Sequence, residues 1–199
     1  MNRALVVLGL LLSTTPVAYG HPKGAGTPDS SPPKKDRERA KKTPNTARIV
    51  APGTKPAKLV NLYNTWTDEW LALAPGEKPS LEITARFLRD HYTNKPTKME
   101  PRLLQIVTAA AKHFGSDQAM VVSAFRHPKY NLILRKKGRQ VARDSQHTHG
   151  TAIDFFIPRV ATLTLHAWAK AQAIGGVGLY LESGFVHMDT GKVRYWNGE

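Results

Sequence analysis

Apolar and polar positions change rhythm several times along the chain, and each change marks an element. Short apolar runs, Leu59 to Tyr63 and Trp70 to Leu73, flank a polar turn around Thr67 and Asp68, which is the pattern of a β-hairpin. The period then lengthens. Behind Ser80, a good helix cap, Leu81, Ala85, Leu88 and Tyr92 recur at helical spacing, and Leu104, Val107, Ala111 and Phe114 do the same between Pro101 and Gly115. Ala119 to Ser123 reads as a short buried strand, followed by a brief basic helix through Asn131, Leu132, Leu134 and Arg135. A further helix is predicted from Thr162 to Ile174, while Ile153 to Ile157 and Phe185 to Asp189 have the apolar density of core strands. Trp66 and Trp70 read as packing of the hairpin rather than as a ligand-stacking pair.

Before Leu59 there is no such rhythm. The first twenty residues carry a basic Arg3, a nine-residue apolar run from Ala4 to Leu12, and Ala18-Tyr19-Gly20 with small residues where a signal peptidase cuts. That run is well short of the ~20 apolar residues that span a bilayer, so residues 1–20 are expected to be a signal peptide and no transmembrane segment is expected after cleavage. Residues 21–58 are rich in Pro, Gly, Ser, Thr and Lys, with too few large apolar side chains to offset the entropy of ordering, and are expected to form a disordered basic tether. The folded domain is expected over residues 59–199.

Charge sharpens this division. The chain has 199 residues and a formal charge of +14 from 29 Lys and Arg against 15 Asp and Glu. Residues 21–58 alone hold ten basic residues against three acidic, a net +7. Such a balance fits nucleic acid, a membrane surface or an anionic polymer. Secretion disfavours nucleic acid, so none is expected as a partner, and an anionic envelope polymer engaged through the tether is expected instead. The absence of cysteine excludes disulfides, cysteine-ligated zinc, iron–sulfur clusters and a thiol nucleophile, so any metal must use His and carboxylates.

Asp154 lies between Ile153 and Phe155-Phe156-Ile157, and a carboxylate buried there needs a cation. His147 and His149 lie just upstream, beyond Gly150, which permits the chain to turn back. In an extended strand Phe185, His187 and Asp189 share one face. If that strand pairs near the strand of Asp154, then His147, Asp154 and His187 converge into a site with two imidazoles and one carboxylate. Zinc held there keeps a fourth position open for water, the arrangement of a catalytic site. His149 competes with His147 as a ligand if the segment is extended. His91 and His113 fall in the two early helices without partners at ligand spacing, and His166 reads as packing.

Three blocks in order, Ser123-x-x-Arg126, Ser145-x-His147-x-x-Gly150-x-Ala152-x-Asp154 and Gly184-Phe185-Val186-His187-x-Asp189-x-Gly191, resemble the zinc peptidases grouped with D-Ala-D-Ala carboxypeptidase, lysostaphin and the hedgehog domain. The resemblance covers residues 59 to 199. Gly175-Gly176-Val177-Gly178 and Arg194-Tyr195-Trp196 flank the last block.

The resemblance implies an α+β fold, a small domain with a central antiparallel sheet flanked by helices and the zinc site on the sheet. It implies Zn2+ held by His147, Asp154 and His187, and hydrolysis of peptide bonds in the peptide stems of peptidoglycan, by an endopeptidase or a D,D-carboxypeptidase. Arg126 corresponds to the arginine that holds a substrate carboxylate or the developing oxyanion, with a structural salt bridge as its other reading. Asn131 and Ser145 lie on the substrate side of the pattern, although an Asn opening a helix also serves as a cap. For the general base Asp189 comes first and Glu182 second, and either also fits a role orienting an imidazole. The expected protein is a secreted or periplasmic, monomeric zinc peptidase. A noncatalytic zinc-containing envelope-binding module is the alternative.

Overall fold

The structure is a computed structural model that describes residues 59–138 and 141–198. The expected signal peptide and basic tether, residues 1–58, lie outside the described residues. No helix among the described residues is long and apolar enough to cross a membrane.

The hairpin forms where the apolar runs predict it. Strand β1, Val60–Asn64, pairs antiparallel with β2, Glu69–Leu73, with Leu62 opposite Leu71. Val60, Leu62, Leu71 and Leu73 face the core, while Tyr63 and Trp70 pack on the outer face with ring centroids 4.7 Å apart. The side chain of Asn64 builds the turn by accepting from the backbone N–H groups of Trp66 and Thr67, at 3.0 and 3.2 Å. Trp66 stacks on His91 at 4.2 Å, so it serves packing as expected.

Helix α1, Leu81–Phe87, starts on Ser80, whose hydroxyl accepts from the Ile83 N–H. It stops earlier than its periodicity predicts, and Tyr92 and His91 lie beyond it. The chain is drawn away because Phe125 donates to the Leu88 carbonyl, Asp90 donates to the Lys95 carbonyl, and Arg89 turns to Glu69 at 2.6 Å. Tyr92 instead stacks on Tyr130 at 4.8 Å. Helix α2, Arg102–His113, buries Leu103, Leu104, Val107 and Ala111 along one stripe and ends before Gly115, whose φ of +65° suits the left-handed position after a helix.

Strands β3 (Gln118–Ser123), β4 (Ala152–Phe156), β5 (Gly176–Tyr180), β6 (Phe185–Asp189) and β7 (Arg194–Gly198) complete one seven-stranded sheet in the order β2-β1-β3-β4-β6-β5-β7. Helix α3, Pro128–Lys136, follows β3, and helix α4, Thr162–Ala171, follows β4.

The sheet is mixed, not the antiparallel sheet expected. β1 runs parallel to β3, and β5 parallel to β7. Parallel neighbours need a crossover, and the segment holding α1 and α2 provides it for β1 and β3. At the other edge the connection from β5 to β7 includes β6, and residues 190–193 carry the chain from β6 past the start of β5 to β7. A side chain at Gly175 would collide with the backbone of Asp189 and Gly191, so the short crossing requires glycine there.

Strand alternation separates two faces. Ile153, Phe155, Val177, Val186 and Met188 join Leu165 and Ala169 of α4 and the buried stripe of α2 in the hydrophobic core. Asp154, His187 and Asp189 therefore project from the opposite face.

Candidate metal centre

Three local structures bring the predicted ligands together. Asp154 and His187 sit directly opposite each other on β4 and β6. His147 comes from a single 3-10 turn, Gln146–His149, which Ser145 caps by accepting from the His147 N–H at 3.3 Å and Gly150 closes at φ +71°. The segment is thus not extended, and the two histidines diverge. His149 is exposed and pairs with Asp144 at 2.5 Å, while His147 turns inward.

Nε2 of His147 lies 3.1 Å from Nδ1 of His187 and 3.2 Å from Oδ1 of Asp154, and the same carboxylate oxygen lies 2.8 Å from His187 Nδ1. All three residues are buried. Two ligands on a tetrahedral zinc, each at 2.0–2.1 Å, stand about 3.3 Å apart, so this triangle has the right size for one ion.

Each imidazole is oriented from behind. Nδ1 of His147 donates to the Ala124 carbonyl at 2.6 Å, which leaves the Nε2 lone pair facing the triangle. Nε2 of His187 meets Oδ2 of Asp189 at 3.1 Å, which leaves Nδ1 facing the triangle. The donors therefore fit a divalent metal in chemistry as well as size.

Burial lowers the His147 pKa, with the nearby Arg126 charge acting in the same direction against the pull of Asp154. Burial also disfavours charge on His187, but its hydrogen bonds to Asp154 and Asp189 outweigh that cost and raise its pKa. Asp154 is desolvated too, yet the two imidazoles hold it well below the usual carboxylate range.

Asp189 is fully buried, and five donor contacts surround its carboxylate. Oδ1 accepts from the N–H groups of Gly176 and Gly191 and from Arg194 Nη1, at 3.0, 2.8 and 3.2 Å. Oδ2 accepts from Arg194 Nη2 at 2.7 Å and from His187. Its pKa is depressed below the ordinary carboxylate range because the hydrogen bonds from His187 and Arg194 outweigh desolvation. Glu182 is exposed in the turn between β5 and β6.

Arg126 is buried, and its own N–H donates to the His147 carbonyl at 3.1 Å. Nη1 reaches Oδ1 of Asn131 at 3.4 Å, and among the described residues no carboxylate lies within ion-pairing distance of this guanidinium. Asn131 is not the cap of α3. His127 holds that position, accepting from Lys129 N–H, whereas Asn131 donates to the Ala142 carbonyl at 3.0 Å and so ties the helix to the loop before Ser145.

The sequence pattern assigns no role to Arg194 and Trp196, although both stand beside the last motif. Trp196 packs against the ring of His187, centroids 5.1 Å apart. The signal available was the period of two in β7, which puts both on the face of Asp154 and His187.

A mixed sheet bearing a buried His-Asp-His triangle, with each ring anchored from behind, is an arrangement that could hold a metal ion. Residues 54–196 match Peptidase_M15_2, the family described as Peptidoglycan L,D-endopeptidase MepK, and the chain belongs to this family and is a peptidase. It is 35% identical over 162 residues to the "Probable peptidoglycan L,D-endopeptidase MepK" of Haemophilus influenzae, covering 78% of this chain and 87% of the relative. It is 36% identical over 111 residues to the "Peptidoglycan L,D-endopeptidase MepK" of Escherichia coli K12, covering 55% of this chain and 61% of the relative. No solved structure matches the chain.

Proposed function

We propose that this protein is a zinc-dependent endopeptidase of the bacterial envelope that hydrolyses peptide bonds in the peptide stems of peptidoglycan, the L,D bonds for which its relatives are named. The observation that carries the reading is the triangle of His147 Nε2, His187 Nδ1 and Asp154 Oδ1, with edges of 2.8 to 3.2 Å, set beside the buried guanidinium of Arg126, which has no carboxylate partner among the described residues.

His147, Asp154 and His187 hold the zinc, which supplies Lewis-acid activation of a water and of the scissile carbonyl. Arg126 receives anionic charge, either a carboxylate of the peptide stem or the charge developing on the attacked carbonyl. Its lack of an ion-pair partner among the described residues, in a buried setting, supports that role over the salt-bridge reading, because a buried cation with only a weak neutral contact retains most of its capacity for an anion. Asn131 positions Arg126, and Ser145 positions His147 by capping its turn.

Asp189 is assigned to orientation of His187 rather than to proton transfer. With five donor contacts and a depressed pKa it is a poor proton acceptor. Glu182, exposed in the turn leading into the His187 strand, is then the candidate for proton transfer. Signal cleavage, an envelope location and tethering by residues 21–58 belong to the same proposal.

The test is digestion of purified cross-linked peptidoglycan with and without zinc, read by mass spectrometry beside a His147→Ala control. Zinc-dependent loss of cross-linked dimers is expected. Loss of only a terminal D-amino acid would make the protein a carboxypeptidase, and binding to the polymer without any product would make it an envelope-binding module.

A further inference from the structure

One register row crosses five strands: Ser123, Asp154, His187, Gly178 and Trp196 stand opposite one another on β3, β4, β6, β5 and β7. Two residues along, Asp189 of β6 and Arg194 of β7 are brought together across Gly176 of β5 in the same way. In both rows the residue from the edge strand crosses β5 to reach β6. Glycine makes each crossing possible. A Cβ at Gly178 would lie 2.6 Å from the Trp196 indole, and one at Gly176 would strike the Asp189 carboxylate and the Arg194 guanidinium.

We propose that β7 is a clamp on the metal ligand His187, with Arg194 and Trp196 as positioning residues that reach it through the lanes opened by Gly176 and Gly178. This inference rests on the reading that His147, Asp154 and His187 hold a metal. Arg194 acts through Asp189, gripping both carboxylate oxygens so that Oδ2 stays aimed at His187 Nε2. Trp196 acts directly, with its indole against the imidazole at 5.1 Å and tilted 55°. The guanidinium of Arg194 lies over the same indole at 5.0 Å, coupling the two positioning residues.

The physical need is directional. An imidazole lone pair lies in the ring plane, so the direction in which Nδ1 offers it is set by the two side-chain torsions of His187. The hydrogen bond at Nε2 and the aromatic contact at the ring restrain those torsions independently. A role limited to securing the sheet edge would need neither the bidentate grip on a carboxylate nor the indole turned inward over a glycine. Tyr195, between the two, points to the other face, where its ring lies beneath Lys170 of α4, and it provides the control.

The experiment measures zinc affinity by chelator competition and the absorption spectrum of the cobalt(II)-loaded protein in full-length Arg194→Gln, Arg194→Lys, Trp196→Leu and Tyr195→Ser variants. Thermal unfolding of each metal-free protein is followed in parallel. Arg194→Gln and Trp196→Leu are expected to weaken zinc ~10- to 100-fold, the usual effect of losing a partner behind a metal-bound histidine, and to shift the cobalt spectrum. Arg194→Lys, which keeps the charge but not the fork, should fall between Gln and the parent, and Tyr195→Ser should leave affinity and spectrum unchanged. Parent-like affinity and spectra in the first two variants would overturn the clamp alone. An Arg194 or Trp196 effect seen only as lower metal-free stability would also overturn it, and absence of zinc uptake by the parent would overturn the metal centre with it.

Discussion

Nε2 of His187 lies 3.1 Å from Oδ2 of Asp189, two residues further along the same strand. A strand turns alternate side chains to one face, so a His-x-Asp pair on β6 is preset to meet. The carboxylate fixes which nitrogen of the ring carries the proton. Nδ1 is thereby left for the cluster with His147 and Asp154, so one short motif supplies both a candidate ligand and the group that orients it.

Removing a ligand should remove metal and activity together. His147→Ala, His187→Ala and Asp154→Asn are each expected to lose stoichiometric zinc, measured by metal analysis after gel filtration, and to release no peptide from peptidoglycan. Full activity in a metal-free His147→Ala protein would sink the zinc mechanism.

Arg126 contributes charge without touching the ligand atoms. Arg126→Ala should keep bound zinc and lower kcat by ~10²- to 10³-fold, the effect typical of losing a donor to developing negative charge. Loss of zinc in this variant would instead mark Arg126 as a support for the His147 turn, whose carbonyl its N–H contacts.

The two carboxylates separate by readout. Asp189→Asn should weaken zinc by ~10- to 100-fold, as expected for a group behind a metal-bound imidazole. Glu182→Gln should leave zinc affinity at the parent value and reduce turnover. A fully active Glu182→Gln protein would remove Glu182 as the base.

The hairpin offers a pH test away from the site. Burial, then the hydrogen bond from its hydroxyl to Asp68 at 2.7 Å, pushes the Tyr63 phenol up to about 12. The folded state thus favours the protonated form, so the resulting stability is fully present below the ordinary value of 10 and is lost as pH rises through about 12. Following tyrosinate absorbance against pH should show one phenol titrating late, and that step should vanish in Tyr63→Phe. Its persistence in the variant would assign the late step to another tyrosine.

Elements with strong local signals were legible in the chain. The hairpin, the Ser80 cap, the α2 stripe and the core strands of Asp154 and His187 all announce themselves by period and punctuation. Where a distant contact competed, the reading failed. Helical spacing carried α1 on to Tyr92, but Arg89, Asp90 and the Leu88 carbonyl are claimed by Glu69, Lys95 and Phe125. Whether His147 and His149 share a face depends on the segment being extended, and Ser145 and Gly150 instead close a 3-10 turn that sends the two rings apart.

What the sequence by itself determined is the inventory and the spacing. The chain has no cysteine, so a metal must be held by imidazoles and carboxylates, and a period of two places His187 and Asp189 on one face. Tertiary structure decided direction and partnership: that the sheet is mixed, that Asp189 is surrounded by donors, that Arg126 lies buried without a carboxylate partner among the described residues, and that β7 reaches His187 across Gly176 and Gly178. Spacing along a chain constrains only which residues share a face, whereas the order of strands and the loss of a side chain at a crossing determine which faces meet. Those choices are made by packing between segments far apart in sequence, which no local pattern encodes.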